Sequence, residues 1–500
     1  MDSVLNLKVT KSVYNLIHPY KDPSIKEVSG SGFIIDIQKG LIVTNAEIVL
    51  NAITITGFLN KTGKKDLSLE IVGICKEKDL AICKISDISI INDITKLNLK
   101  FGDSMNVNIG DKVFSLGKTF SKGIISGNEF QIEDKEELTR YPICFSTNIY
   151  TDVENSGGPL LNKNNEVIGI NKVINNINYA IPSRTFLAIY SKLLQGIVKT
   201  PSLSLDWCKT NREIMKKQTG SSSTYGIYVR KVYPGSCLDS LEKGDIIRRI
   251  DYVDLFWKPN GQINQEIFDL NDTDLEKNLE KGTLVTVFLD RFGMSNKIVK
   301  LKNPEELDEM KIEFETVFTD KVLSLSQIMD MVPIGANLIL NISRNRNWYK
   351  LKTQYVSIES ERLSYIYSKI DYEIFAGLCL TNLTSNHLSD NLFDINHLSN
   401  NDELKYKKSV IITQVFPGSS AYKTQILKPG HIIKSLLGFD TNFELVKETH
   451  CVISTLEDIR HILKLNPEYI QITTTDNSTF LFSLNTIIKE DQNILKVFSI

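Results

Sequence analysis

Long apolar runs are missing from this 500-residue chain, and nothing in it approaches about 18 uninterrupted apolar residues. Its opening, "MDSVLNLKVTKSVYN", has no basic segment followed by an apolar one. Neither a membrane-spanning helix nor an export leader is expected, so the sequence reads as soluble and intracellular. Cysteine is sparse: Cys75, Cys83, Cys144, Cys208, Cys237, Cys379 and Cys451 are odd in number, scattered and without a CxxC pair. That pattern argues against a disulfide framework and a zinc site, and for reduced thiols in the core. No metal or cofactor is expected. Neither sign of charge prevails, since 58 basic side chains stand against 60 acidic ones. No basic stripe interleaves with aromatics, which excludes nucleic acid as a partner class. Histidine is scarce too: six in all, of which His18 is the only one in residues 1–198.

What is present reads as a modular globular protein, with 42% hydrophobic and 24% charged residues. The length implies about three domains. From residue 1 to 198, short β-branched runs alternate with turn residues: "GSGFIIDI", "GLIVTNAEIVL", "LSLEIVGICK", "DLAICKI", "DKVFSLG", "PICFSTNIY" and "EVIGINKVI". Such spacing predicts an all-β barrel or sandwich. "SRTFLAIYSKLLQGI" (183–197) has helical spacing behind a serine N-cap and is expected to close this region as a terminal helix.

After a polar stretch containing "QTGSSSTYG" (218–226), the chain repeats itself in outline. "YGIYVRKVYPGSCLDSLEKGDIIRRID" (225–251) is answered by "SVIITQVFPGSSAYKTQILKPGHIIKSLLG" (409–438), each a strand, a "V[YF]PGS" turn, a short helix, a glycine turn and a second strand. In the second copy "STLEDIRHILKL" (454–465) and "YIQITTTDNSTFLFSL" (469–484) supply the closing helix and strands. In the first copy two hairpins compete, 282–302 and 336–356. The later one, preceded by the helical "LSLSQIMDMV" (323–332), is favoured, with the earlier as an insertion. The expected domains are 1–198, 200–358 and 370–490.

Three features stand in order: "SGSGFII…GLIVTNAEIV" (29–49), "EKDLAICKI" (77–85) and "DVENSGGPLLNKNNEVIGIN" (152–171), followed by "NYAIPS" (178–183). Together they resemble the protease domain of the HtrA/Deg family, and the two repeats resemble its PDZ domains. The second repeat, with "YEIFAGLCL" (372–380) ahead of it, is most similar to the divergent second PDZ domain of the plant and fungal Deg branch. The resemblance implies a mainly β fold, a chymotrypsin-like double β-barrel followed by two PDZ-like α+β domains.

Acyl transfer by a serine hydroxyl needs a base for its proton, a carboxylate behind that base and N–H donors for the oxyanion. By the resemblance, Ser156 in "ENSGGPLL" (154–161) falls on the nucleophile, Asp79 on the orienting carboxylate, and the amides of Glu154, Asn155 and Ser156 on the oxyanion hole. Two residues depart from the family's pattern. In "TNAEIV" Glu47 stands where the family has its histidine, and Glu154 stands where it has a glycine two residues before the nucleophile. A carboxylate of reference pKa about 4.3 is a much weaker base than an imidazole near about 6.5, and beside Asp79 it is repelled. Losing a triad member typically costs on the order of 10⁴- to 10⁶-fold, and losing one oxyanion donor roughly 10²- to 10³-fold.

The sequence therefore reads as a proteolytically inactive or strongly impaired homologue that binds polypeptide. One alternative is an active serine endopeptidase with an acid-shifted optimum, since serine-carboxyl peptidases of a different fold combine Ser, Glu and Asp. Another is a structural component of a larger assembly. By the same resemblance, a loop of backbone amides before an edge strand receives a peptide's terminal carboxylate. "TYGIYV" (224–229), with Tyr225, Gly226 and Ile227, is the candidate in the first repeat. "FAGLCL" (375–380) is the candidate in the second, whose groove is open to closure or subunit contact. The implied partners are unfolded or C-terminal polypeptide segments. Barrels of this family trimerise through N-terminal aromatic segments, so "SVYNLIHPY" (12–20) points to a trimer-based homo-oligomer.

Overall fold

Runs of alternating or fully apolar residues, too short for helices and broken by turns, become strands that bury one face or both. In a computed structural model they form two closed barrels. The structure describes residues 3–59, 66–91, 98–131, 143–201, 203, 205–220, 225–233, 236–256, 263–269, 282–292, 294–295, 297–301, 316–319, 322–357, 369–384, 387, 408–447, 449 and 451–498. Residues 234–235 of the first "VYPGS" turn and 221–224 of the polar stretch lie outside the described residues.

The first barrel joins β1 (Val4–Val13), β2 (Ser24–Asp36), β3 (Leu41–Thr44), β4 (Ala52–Leu59), β5 (Asp66–Cys75) and β6 (Leu80–Ile85) in the closed order β1-β2-β3-β6-β5-β4. One helical turn, α1 (Ala46–Val49), follows β3. The second barrel joins β7 (Lys112–Leu116), β8 (Phe120–Gln131), β9 (Ile143–Tyr150), β10 (Pro159–Leu161), β11 (Val167–Ile174) and β12 (Ile177–Pro182) in the closed order β10-β11-β12-β9-β8-β7. The quoted runs fall on β2, β3, β5, β6, β7, β9 and β11, so the double β-barrel expected from the resemblance is present.

The terminal helix α2 (Ser183–Leu193) is shorter than its apolar spacing predicts. Ser183 is not its cap: Pro182 takes that position and the Ser183 hydroxyl donates to the Gly102 carbonyl at 2.9 Å. The helix is buried along both sides, with Phe186 stacked on Phe101 at 5.2 Å between centroids and Tyr190 edge-on to Phe268 at 5.0 Å. Its C-terminal end lies directly on β5.

In the same compact unit follows a sheet built on β13 (Leu205–Lys209), β14 (Ile227–Val232), β15 (Ile246–Asp254) and β16 (Thr283–Phe288), with helix α3 (Arg212–Thr219) between the first two. The two-residue β17 (Met294–Ser295) and β20 (Leu323–Ser324) pair with each other, while β18 (Lys297–Leu301) and β19 (Thr316–Thr319) extend the sheet beyond β16. Helix α4 (Leu325–Met331), closed by a Ser324–Gln327 capping box, leads into the hairpin β21 (Asn337–Arg344) and β22 (Asn347–Gln354). β21 pairs with β15 from Ile246↔Ser343 to Tyr252↔Leu338.

The second unit, residues 12–26, 134–139 and 359–500, holds the other repeat. Its sheet comprises β23 (Tyr372–Phe375), β24 (Leu378–Asn382), β25 (Val410–Val415), β26 (Ile432–Phe439), β27 (Cys451–Val452), β28 (Tyr469–Thr474) and β29 (Thr479–Ser483). Helix α5 (Leu456–Lys464) precedes β28, and α6 (Leu484–Val497) ends the chain. The repeats share their pairing: Ile227↔Ile247 and Tyr228↔Ile246 in one match Val410↔Ile433 and Ile411↔Ile432 in the other. The later hairpin of the first repeat stands on β15 as β28–β29 stands on β26. Both sheets are compatible with PDZ domains.

Within this second unit Tyr20, from the segment expected to join subunits, packs against Phe416 at 5.7 Å and Tyr372 at 6.4 Å and donates to Gln414 at 2.8 Å. All seven cysteines are free thiols, five buried and two, Cys208 and Cys451, half-buried. Among the described residues no helix is long and apolar enough to cross a membrane.

Gly73 on β5 is where α2 meets the first barrel: a Cβ there lies 1.8 Å from the Leu193 carbonyl oxygen and 2.6 Å from that of Gly196. Backbone cannot yield as a side chain does. Gly73→Ala is expected to cost at least about 2 kcal/mol in urea denaturation, against a typical surface change of less than about 0.5 kcal/mol.

Candidate active site

Ser156 lies between the two barrels, tied to the first by backbone and to the second by its side chain. Its carbonyl accepts from the Ser31 amide at 2.8 Å, and its Oγ accepts from the Val173 amide of β11 at 3.0 Å. It is only 3% exposed. The glycine behind it is sterically required: Gly157 has φ +84°, and a Cβ there sits 2.2 Å from the Ser31 carbonyl oxygen and 2.5 Å from Thr44 Oγ1. The "SGG" turn is thus shaped by packing whether or not the serine reacts.

Asp79 ends the turn between β5 and β6 with φ +51°, its amide donating to the Lys76 carbonyl. Both its oxygens are engaged. Oδ1 accepts from the Glu47 amide at 2.8 Å, and Oδ2 receives the Lys172 ammonium at 2.6 Å. Asn45, which caps α1, donates from its side chain to the Asp79 carbonyl at 3.1 Å, fixing the turn to the helix that carries Glu47.

Lys172 was not singled out by the sequence. It stands on β11, 2% exposed, and its Nζ bridges Asp79 at 2.6 Å and Glu47 Oε2 at 3.0 Å. The signal was the lone charge in "VIGINKVI", a strand otherwise free of ionisable residues and buried from Val167 through Val173. Burial drives an amine's pKa down. Here the charges of Asp79 and Glu47, with their hydrogen bonds, more than offset burial and hold Lys172 above the usual lysine range. For Glu47, repulsion from Asp79 and then burial push the carboxyl above its ordinary value, against the pull of Lys172.

The ammonium therefore keeps its proton at physiological pH and cannot take one from Ser156. Among the described residues the bond that Ser156 Oγ makes is the one it accepts from the Val173 amide. Asp79 and Glu47 thus converge on the Lys172 ammonium, while Ser156 is bonded to the backbone amide of the next residue, Val173.

The oxyanion donors are also committed. Residues Val153–Asn155 form a 3-10 turn in which the Ser156 amide donates to the Val153 carbonyl at 3.0 Å. The Asn155 amide donates to the Asp152 carbonyl at 3.0 Å, and the Glu154 amide to Asp152 Oδ1 at 3.2 Å. The Glu154 carboxylate itself is drawn to Lys118, and the Glu154 carbonyl accepts from the Ser31 hydroxyl at 2.6 Å.

The edge-strand expectation for Tyr225, Gly226 and Ile227 is corrected. β14 is flanked by β13, from Leu205↔Val232 to Lys209↔Ile227, and by β15, so the terminal strand is β13. The Gly226 amide donates to the Leu289 carbonyl at 3.1 Å rather than facing solvent. A Cβ at Gly226 lies 2.6 Å from the Ile247 carbonyl oxygen, which, with φ +96°, is why glycine is needed there.

Removing one partner of a buried ion pair strands the other. Lys172→Met is expected to cost about 3–5 kcal/mol in urea denaturation, and Lys172→Met/Asp79→Asn to recover most of it. A second check uses the sign of the Glu47 shift. A carboxyl whose folded pKa exceeds its unfolded one opposes folding when ionised, and this penalty fades as pH falls through the folded value. Thermal denaturation of the wild type and Glu47→Gln is expected to show the wild type gaining relative stability from about pH 7 to about pH 4; a difference independent of pH contradicts the shift.

Residues 30–170 match the family of the trypsin-like peptidase domain. A probable periplasmic serine endoprotease DegP-like of Rickettsia conorii is 25% identical over 77% of this chain and 74% of its own length. The serine protease Do-like HtrB of Bacillus subtilis is 30% identical over 53% of this chain and 59% of its own, and the periplasmic serine endoprotease DegP of Escherichia coli K12 is 31% identical over 44% and 48%. The chain thus spans about half of the latter two. A solved structure of the HtrA-type protease AlgW with a tripeptide aligns at 22% identity and a TM-score of 0.39 over 61% of this chain and 95% of its own. With two closed barrels and the matched residues 30–170, the chain carries a trypsin-like peptidase domain and is similar to serine endoproteases of the DegP and HtrA type.

Proposed function

We propose that this protein is a proteolytically silent HtrA/Deg homologue that acts through polypeptide binding and assembly. The observation that carries the reading is the Lys172 ammonium 2.6 Å from Asp79. In a working triad the carboxylate stabilises an imidazolium formed in mid-reaction. Here a permanent cation already satisfies it. The inward amides of Glu154 and Ser156 support the same reading, because a tetrahedral intermediate needs preorganised donors aimed at its oxyanion.

Acid conditions do not rescue catalysis on this reading. Protonating Glu47 removes one negative charge from the cluster but leaves Lys172 protonated. The two PDZ-like sheets leave polypeptide capture as the remaining role, with homo-oligomers as its natural setting.

Hydrolysis of unfolded casein between about pH 4 and 8, with Ser156→Ala as control, is expected to show no Ser156-dependent turnover, while casein is still bound. Glu47→His alone is expected to leave turnover absent, because Lys172 still holds Asp79. Brisk cleavage by the wild type, lost in Ser156→Ala, overturns the proposal.

A further inference from the structure

We propose that the outer edge of β22 is a docking site for an extended acidic segment of a partner polypeptide, which joins the sheet of the first repeat as one more strand. The inference deepens the polypeptide-binding role above, rests on it, and names the surface and the charge of what is bound.

Among the described residues β22 is paired on one side only, by β21. The hairpin turns on Asn345 and Arg346, both left-handed, at φ +49° and φ +68°. A two-residue turn of this kind makes Arg344 and Asn347 a hydrogen-bonded pair, and such pairs recur at every second residue. Asn347, Tyr349, Leu351 and Thr353 therefore direct their backbone groups to β21. Trp348, Lys350 and Lys352 direct theirs to the other side, in the plane of the sheet.

The same alternation sorts the side chains. Tyr349, Leu351 and Thr353 stand across from Ile342, Leu340 and Leu338, all buried in the core. Trp348, Lys350 and Lys352 lie on the other face and are exposed, Trp348 by 54%. An exposed tryptophan in such a strand is the reverse of what shields an edge from pairing. Its ring is held by Arg248 of β15, whose guanidinium carbon lies 5.0 Å from the ring centroid. The apolar contact is thus positioned before a partner arrives.

Charge selects the occupant. The stretch "RNRNWYKLKTQY" (344–355) has four basic residues and no acidic one. Arg344 is engaged by Asp245 at 2.7 Å, while Arg346, Lys350 and Lys352 are exposed. Opposite charges directly across two strands stabilise their pairing, and like charges oppose it. A second copy of β22 laid antiparallel about its centre sets Lys350 against Lys350, so self-pairing is disfavoured. A segment with acidic residues at alternate positions meets both lysines.

Two features separate this mode from other anionic ligands. A nucleic acid supplies negative charge but lacks the alternating amides and carbonyls that pair with a strand edge. A chain end is not required either, because recognition runs along the middle of an extended segment.

The test uses the full chain and fluorescein-labelled peptides in which glutamate alternates with valine or threonine, amidated at the C-terminus and read by fluorescence anisotropy. The glutamate peptide is expected to bind at least about tenfold more tightly than its counterpart with lysine for glutamate, and to lose that gain when its glutamate amides are N-methylated. Lys350→Glu/Lys352→Glu, which changes exposed side chains and leaves the ladder to β21 intact, is expected to reverse the preference. Equal binding of the two peptides, indifference to N-methylation, or binding of a short oligothymidylate as tightly as the glutamate peptide overturns the inference. Casein binding by the wild type is followed in parallel: casein bound without a charge preference among the peptides overturns the β22 site alone, whereas no casein bound overturns the polypeptide-binding role itself.

Discussion

A cation buried between two carboxylates constrains the space between the barrels. Lys172, Asp79 and Glu47 come from three separate elements, β11, the β5–β6 turn and α1. Taking a lysine and an aspartate out of water is costly unless each satisfies the other at close range. That requirement fixes where β11 lies against the first barrel. Ser156, held by the amide of the residue next to Lys172, is placed by the same strand. The arrangement thus brings the Ser156 turn and the paired carboxylates to one strand, with a single cation shared between the two acids.

The turn carrying Ser156 follows from the same economy of polar groups. Every backbone donor at a buried seam needs a partner. In the 3-10 turn of Val153–Asn155 they find partners locally, in the carbonyls of Asp152 and Val153 and the Asp152 side chain. A turn satisfied internally has nothing left to offer an external anion.

Much of the fold was legible because strand signals are local. The β-branched runs, the glycine turns and the repeated "V[YF]PGS" register each need only a few neighbouring residues to be read. What escaped was non-local. Lys172 lies 93 residues from Asp79 and 125 from Glu47 in sequence, and only barrel closure brings them together. "LDWCK" (205–209) lacks the β-branched residues that advertise a strand, so β13 went unseen and β14 was read as an edge.

The Lys172 cluster also bears on how such a protein can change over generations. Deleting the lysine alone abandons Asp79 in a dry seam, and installing an imidazole alone sets it against an ammonium already in residence. On the proposed reading each single step is unfavourable, because a buried ion pair loses one partner or gains a competing cation. If the proposed silence holds, the buried cluster acts as a ratchet, because reversing it requires two coupled changes.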